Sequence, residues 1–265
     1  MRYFLYIALY CFTCSFLQVH QTQAFHVIDV TEKTIFYQLA QNTVPIKIQQ
    51  YGDRTDLVFI NLHDDELTSV EAAKRILEAQ GGLLIEVENN AQRNIRFRLG
   101  QYFYQVDPNR IFSKEGITKS LEQLGRTSVR AIDEVAKLGQ RIVELIPSET
   151  QCVIALHNNT PGYFSVTDYA PGNKRSVESK MVYINAEEDT DDFFLTTDNE
   201  LFEKLADKGY NTILQDNQNC TEDASLSVYC GKRNIRYVNC ETEHGKTEQY
   251  YEMMRALLAV IPVNK

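Results

Sequence analysis

Two stretches of this chain, 57–60 (Leu-Val-Phe-Ile) and 152–156 (Cys-Val-Ile-Ala-Leu), contain no charged or amide side chain at all. Each is short for a buried helix and too apolar for a strand with one wet face, so each reads as a strand covered on both sides. Covering both sides of a sheet takes helices in the connections, and the chain supplies them in alternation. Residues 44–50 and 57–62 read as strands. Thr68, with Glu71 three residues on, forms a capping-box pair that opens a helix running to Gln80, with Val70, Ala73 and Leu77 on its apolar face. Gly81-Gly82 ends it. Residues 83–87 form the next strand, 94–104 an extended segment, 127–146 a long helix stopped by Pro147, and 153–156 a strand. Residues 161–188, with Pro161-Gly162 and Pro171-Gly172, read as an excursion. A short helix over 199–208, strands near 212–214 and 233–240, and a last helix over 247–259 complete the pattern. The expectation is an α/β fold with a mixed, mostly parallel sheet covered by helices on both faces, without repeats or a second domain.

Ligand sites in such sheets lie beyond strand ends, and three chemically suited groups fall there. Asn61-Leu62-His63-Asp64-Asp65-Glu66 follows the first apolar run, His157 leaves the second, and Glu241 follows the strand over 233–240. Two imidazoles and one carboxylate suit zinc and leave one coordination position for water, the make-up of a catalytic site. Asp64 and Asp65 cannot face an apolar core unpaired, so this corner is expected to open to solvent.

The chain begins with Arg2, an apolar stretch over 3–17 and a small residue, Ala24, at a cleavage-like point. Residues 1–24 therefore read as a signal peptide and 25–265 as a single domain, secreted or periplasmic. The apolar stretch is short for a bilayer span, and no later run is apolar enough to make one. The formal net charge is −9, and loss of Arg2 makes the balance more acidic. That argues against nucleic acid and anionic membrane surfaces as partners. In an oxidising compartment Cys220 and Cys230, which bracket a loop-like segment, are the expected disulfide. Cys152 and Cys240 sit in strand-like runs and read as buried apolar side chains. No Ser or Cys occupies a recognisable nucleophile turn.

In order along the chain stand His63-Asp64-Asp65-Glu66, Asp107-Pro108-Asn109-Arg110, His157, and Glu241 within Asn239-Cys240-Glu241-Thr242-Glu243-His244-Gly245. This series resembles the zinc carboxypeptidase superfamily in the wide sense that includes amidase and deacylase relatives. There a His-x-x-Glu follows a strand, an Asn-Arg pair comes next, then a His at a later strand end and a Glu near the C-terminal helix. The match spans nearly all of 25–265 and implies a zinc carboxypeptidase-like catalytic domain. The resemblance implies zinc held by His63, Glu66 and His157, with Asn109 and Arg110 gripping a terminal carboxylate of the substrate. It makes Glu241 the catalytic base, with Glu243 as the alternative on the same strand face. Whichever is not the base, or His244, then orients it or binds substrate. The resemblance also implies an arginine, between the two ligand segments, that polarises the scissile carbonyl. Arg93, Arg96 and Arg98 lie there, and Arg96 is the choice. The family's mobile tyrosine has no assigned counterpart. Asn158 and Tyr163 read as lining a polar pocket. The span from Glu66 to Asn109 is shorter than in digestive carboxypeptidases, which implies a trimmed scaffold.

These readings lead to an exported hydrolase of amide bonds next to a free carboxylate, acting on peptides or on peptidoglycan stem peptides. Two alternatives stay open: a zinc-dependent amidase or deacylase of N-acyl amino acids, and a secreted binding protein on the same fold without turnover.

Overall fold

The structure is a computed structural model that describes residues 28–261. The signal peptide expected over 1–24 lies outside the described residues. Strands β1 (Val30–Leu39) and β2 (Asn42–Tyr51) form a hairpin turned at Ala40, whose φ is 52°. Next come β3 (Leu57–Asn61), α1 (Leu67–Gln80), β4 (Gly82–Val87), the small hairpin β5 (Ile95–Leu99) and β6 (Tyr102–Val106), α2 (Lys114–Gln123) and α3 (Val129–Val143). Then follow β7 (Cys152–Asn159), β8 (Ser179–Tyr183), β9 (Phe193–Thr196), α4 (Asn199–Asp207), β10 (Thr212–Gln215), α5 (Leu226–Gly231), β11 (Tyr237–Glu243) and α6 (Thr247–Leu258). No helix among the described residues is long and apolar enough to cross a membrane.

Nine strands form one sheet in the order β1-β2-β4-β3-β7-β11-β9-β10-β8. The mostly parallel sheet expected from the sequence is corrected here, because half of its eight neighbour pairings are antiparallel. The central four strands, β4-β3-β7-β11, are parallel. The antiparallel pairings come from the β1–β2 hairpin on one edge and from the chain that returns after β7 on the other.

Alternate side chains of the central strands enter two cores. Val58 and Ile60 pack in one with Ile117 of α2, Leu138 of α3 and Leu226 of α5. Leu57 and Phe59 pack in the other with Val70 and Ile76 of α1, Leu205 of α4 and Tyr250 of α6. Each large apolar side chain so buried contributes roughly 1.5–3 kcal/mol. The all-apolar runs therefore fix β3 and β7 firmly, leaving the loops at their ends free to carry polar groups.

Local readings change in four places. The Thr68/Glu71 capping box does not form. Glu66 is the N-cap residue of α1, Thr68 accepts a hydrogen bond from the Gly245 amide, and Glu71 accepts one from Thr247. The extended segment over 94–104 is the β5–β6 hairpin instead. The long helix starts at a Ser128 N-cap, whose hydroxyl accepts from the Ala131 amide, and is preceded by a separate α2. The expected Cys220–Cys230 disulfide is absent, and both residues are free thiols. Residues 226–231 coil into α5, which turns Cys230 into the core beside Leu226 and Tyr237, while Cys220 stays half-buried in the preceding loop.

Candidate metal centre

The carboxyl ends of three adjacent parallel strands meet at one place. Asn61 at the end of β3 lies opposite Leu156 of β7, and His157 lies opposite Glu241 of β11. After β3 the chain turns sharply, with the Glu66 amide donating to the His63 carbonyl at 3.0 Å, and this turn aims both side chains back at β7. His63 Nδ1 then lies 3.1 Å from Glu66 Oε1 and 3.3 Å from His157 Nδ1, which in turn is 2.8 Å from Glu66 Oε2. All three residues are buried.

This donor set fits zinc. Tetrahedral zinc with bonds of about 2.0–2.1 Å places its ligand atoms about 3.3 Å apart, and the three side chains each offer a ligand atom within 4.8 Å of the others. His63 Nε2 is 2.8 Å from Asp107 Oδ1. An ionised carboxylate only accepts, so Nε2 keeps its proton and Nδ1 is the atom turned to the metal position. Burial alone lowers an imidazole's pKa, but Glu66 and then Asp107 reverse this and raise that of His63 to about 9. Burial alone lifts a carboxyl, yet the two imidazoles hold Glu66 well below the usual range. The corner is thus a place where negative charge draws in positive charge. Burial pushes the Glu241 carboxyl above its ordinary range; His157 opposes that push, Glu66 adds to it, and the Asn239 amide opposes it by donating to Oε1 at 3.0 Å.

An open cleft of about 520 Å³ stands over this corner, a volume suited to a small ligand or the end of a chain. His63, Glu66, His157 and Glu241 lie on it, as do Asn109, Arg110, Asn158 and Tyr163. Asn109 Nδ2 is 3.4 Å from His157 Nε2, while its Oδ1 accepts from the Leu226 amide. Arg110 donates to the Asn109 carbonyl and pairs with Asp223 at 3.5 Å. Tyr163 stands at the rim, 82% exposed. Asn158 is engaged at both ends of its amide: Oδ1 accepts from the Ser69 amide and Nδ2 donates to the Thr242 carbonyl. Glu243 does not line the cleft and pairs with Lys246 instead.

Arg96 does not join the site. In β5, Ile95 and Phe97 face the core, so Arg96 faces solvent, over the ring of Phe103 at 4.9 Å. Arg93 comes in instead, with Nη1 2.5 Å from Glu66 Oε1. Its entry is prepared by Asp64, whose Oδ2 accepts from the Asn89 and Ala91 amides and ties down the turn just before Arg93. Asp64 and Arg93 were the signals available in the sequence, but a backbone turn with φ near 54° at Asn90 and Ala91 gives no pattern to read. The excursion over 161–188 adds Arg175 and Glu178 to the cleft wall, paired at 3.1 Å.

No family model matches this chain, and no curated protein matches it. Among the solved structures that it resembles at low identity are the following two. One is an aspartoacylase family protein from Mesorhizobium loti, 14% identical over 93% of this chain and 71% of that one, with a TM-score of 0.46. The other is the murein-tripeptide amidase MpaA from Escherichia coli O157, 14% identical over 88% of this chain and 93% of that one, with a TM-score of 0.47. Likenesses at this level carry no functional assignment, which is left to the donor geometry at His63, Glu66 and His157.

Proposed function

We propose that this protein is a zinc-dependent hydrolase of amide bonds that lie next to a free carboxylate. The observation that supports this most is the convergence of His63 Nδ1, the Glu66 carboxylate and His157 Nδ1 on the floor of an open cleft. A zinc ion held by these three supplies a Lewis acid and acidifies a water molecule. Glu241, buried beside His157, takes a proton from the attacking water and returns it to the leaving amine, a task suited to a carboxyl pushed up by burial. Arg93 reaches the same corner from the other side and is placed to stabilise the developing oxyanion. Arg110 offers a planar fork for the substrate carboxylate, with donors left over after Asp223 and the Asn109 carbonyl. Peptides and peptidoglycan stem peptides are the substrate classes that combine such an amide with a free carboxylate, and export through residues 1–24 belongs to the same proposal. An N-acyl amino acid uses the same groups and is the second reading.

The test is metal content together with hydrolysis. Purified protein is expected to hold about one zinc per chain, lost in His63→Ala. It is expected to cleave an N-acylated dipeptide with a free carboxylate and to spare its C-terminal amide. No zinc after reconstitution refutes the proposal; equal cleavage of both substrates refutes the role of Arg110.

A further inference from the structure

Glu241, the proposed proton-handling group, lies opposite His157 in the β7–β11 ladder, whereas Glu66 lies in the turn after β3, and side-chain bonds add to that ladder at this place. Glu241 sits between Cys240 and Thr242, and the carbonyls of both neighbours are held by buried side chains. The Tyr250 hydroxyl donates to the Cys240 carbonyl at 2.8 Å, and the Asn158 amide donates to the Thr242 carbonyl at 3.3 Å. The other end of each side chain reaches a ligand segment. Tyr250 Oη accepts from the His157 amide at 3.2 Å. Asn158 Oδ1 accepts from the Ser69 amide at 3.1 Å, and the Ser69 hydroxyl donates to the Glu66 carbonyl at 2.7 Å. Tyr250, Asn158 and Ser69 are all buried, so water competes weakly for these bonds.

We infer that Tyr250 and Asn158 are positioning residues that act as two bridges, setting the backbone carrying Glu241 at a fixed place relative to His157 and Glu66. This inference rests on the metal-centre reading. Neither side chain touches the metal position. Tyr250 acts through the His157 amide and the Cys240 carbonyl, and Asn158 through the Thr242 carbonyl and the Ser69 amide, whose own hydroxyl holds the Glu66 carbonyl, in the way outer partners orient first ligands. The two bridges enter from different elements, α6 and β7, and clasp the same short stretch, 240–242, on both sides of the base. The Tyr250 hydroxyl has one donor and acceptor lone pairs, and both functions are used, so its removal takes away one bond to each of the two paired strands at once.

Tyr250→Phe removes one oxygen and keeps the ring in its core; Asn158→Leu removes both bonds at nearly constant volume. Each variant is compared with wild type and with Ser128→Ala, a helix-cap change distant in sequence from the site, by three measurements. These are the thermal midpoint, zinc Kd by chelator competition, and the visible spectrum of the cobalt(II)-loaded protein, which reports ligand geometry. The expected result for both site variants is a tenfold or greater weakening of zinc binding and an altered cobalt spectrum. Ser128→Ala is expected to lower the midpoint alone. Should Asn158→Leu not fold, Tyr250→Phe decides. A Tyr250→Phe protein with wild-type Kd and cobalt spectrum overturns the inference, even if its midpoint falls. A wild type that takes up neither metal overturns the metal-centre reading, and this inference with it.

Discussion

Replacing Gly139 with alanine sets two known effects against each other. In the middle of α3, alanine is favoured over glycine by about 1 kcal/mol. However, a Cβ built at Gly139 lies 2.2 Å from the carbonyl oxygen of Ile111, 3.0 Å from its carbonyl carbon and 3.2 Å from its Cγ1. The nearest atom is backbone, which no rotamer change can move aside. Helix and segment must part by roughly 1 Å, an overpacking that costs about 1–3 kcal/mol. The upper end applies because the Ile111 segment is tied down on both sides. The Leu226 amide donates to Asn109, and the Phe112 amide donates to the Ala224 carbonyl at 3.1 Å. The net effect is a loss of about 2 kcal/mol, or about 4–8 °C in thermal midpoint for a chain of this size. Far-UV circular dichroism melts, with urea titration as the isothermal check, measure it. A variant at least as stable as wild type means that α3 is not held against Ile111 this closely, and the reasoning fails.

Two further outcomes follow from charge and thiol chemistry. Glu222 accepts from the Ser113 hydroxyl and the Ala224 amide and pairs with Lys232. Burial alone raises its carboxyl, but Lys232, Ser113 and that amide hold it below the ordinary value of 4.5. A depressed carboxylate stabilises the fold above its unfolded pKa and stops doing so as pH falls through its folded pKa. Glu222→Gln is therefore expected to cost about 1 kcal/mol at neutral pH, with the gap to wild type closing below about pH 4.5 in urea melts run across pH; a gap independent of pH refutes this. Among Cys152, Cys220, Cys230 and Cys240, only the half-buried Cys220 is expected to label with a thiol reagent before unfolding, as the other three are buried; burial raises all four thiols, that of Cys230 to about 12. Peptide mapping that finds Cys220 joined to Cys230 contradicts the free thiols.

The central strands were legible because they are buried on both faces, which leaves an apolar signature that needs no context. β1 was not, since most of it faces solvent and its sequence, Val-Thr-Glu-Lys-Thr, looks like a loop until a neighbouring strand pairs with it. The site divided along the same line. His63, Glu66 and His157 stand at fixed distances from apolar runs and could be read there, whereas choosing among Arg93, Arg96 and Arg98 required the phase of β5 and the turn before it. The helix cap was misread for a related reason. The group that satisfies the Ser69 amide is Asn158, 89 residues away, and no local motif announces a partner at that range.

The excursion after β7 closes on itself at its neck. The Val166 amide donates to the Thr190 carbonyl at 2.9 Å, and the Gly162 amide donates to the Asp191 carboxylate at 2.6 Å. It supplies one wall of the cleft, including Arg175 and Glu178, while His63, Glu66 and His157 belong to other segments. Within the excursion β8 is fixed as the edge strand paired with β10, and Val166 and Tyr169 are held in the core. The part left to vary is the largely exposed stretch between them, 170–178, where a loop can change while the elements it joins stay in register. Retargeting such a cleft becomes a matter of grafting between residues 170 and 178, with the chemistry left in place beneath.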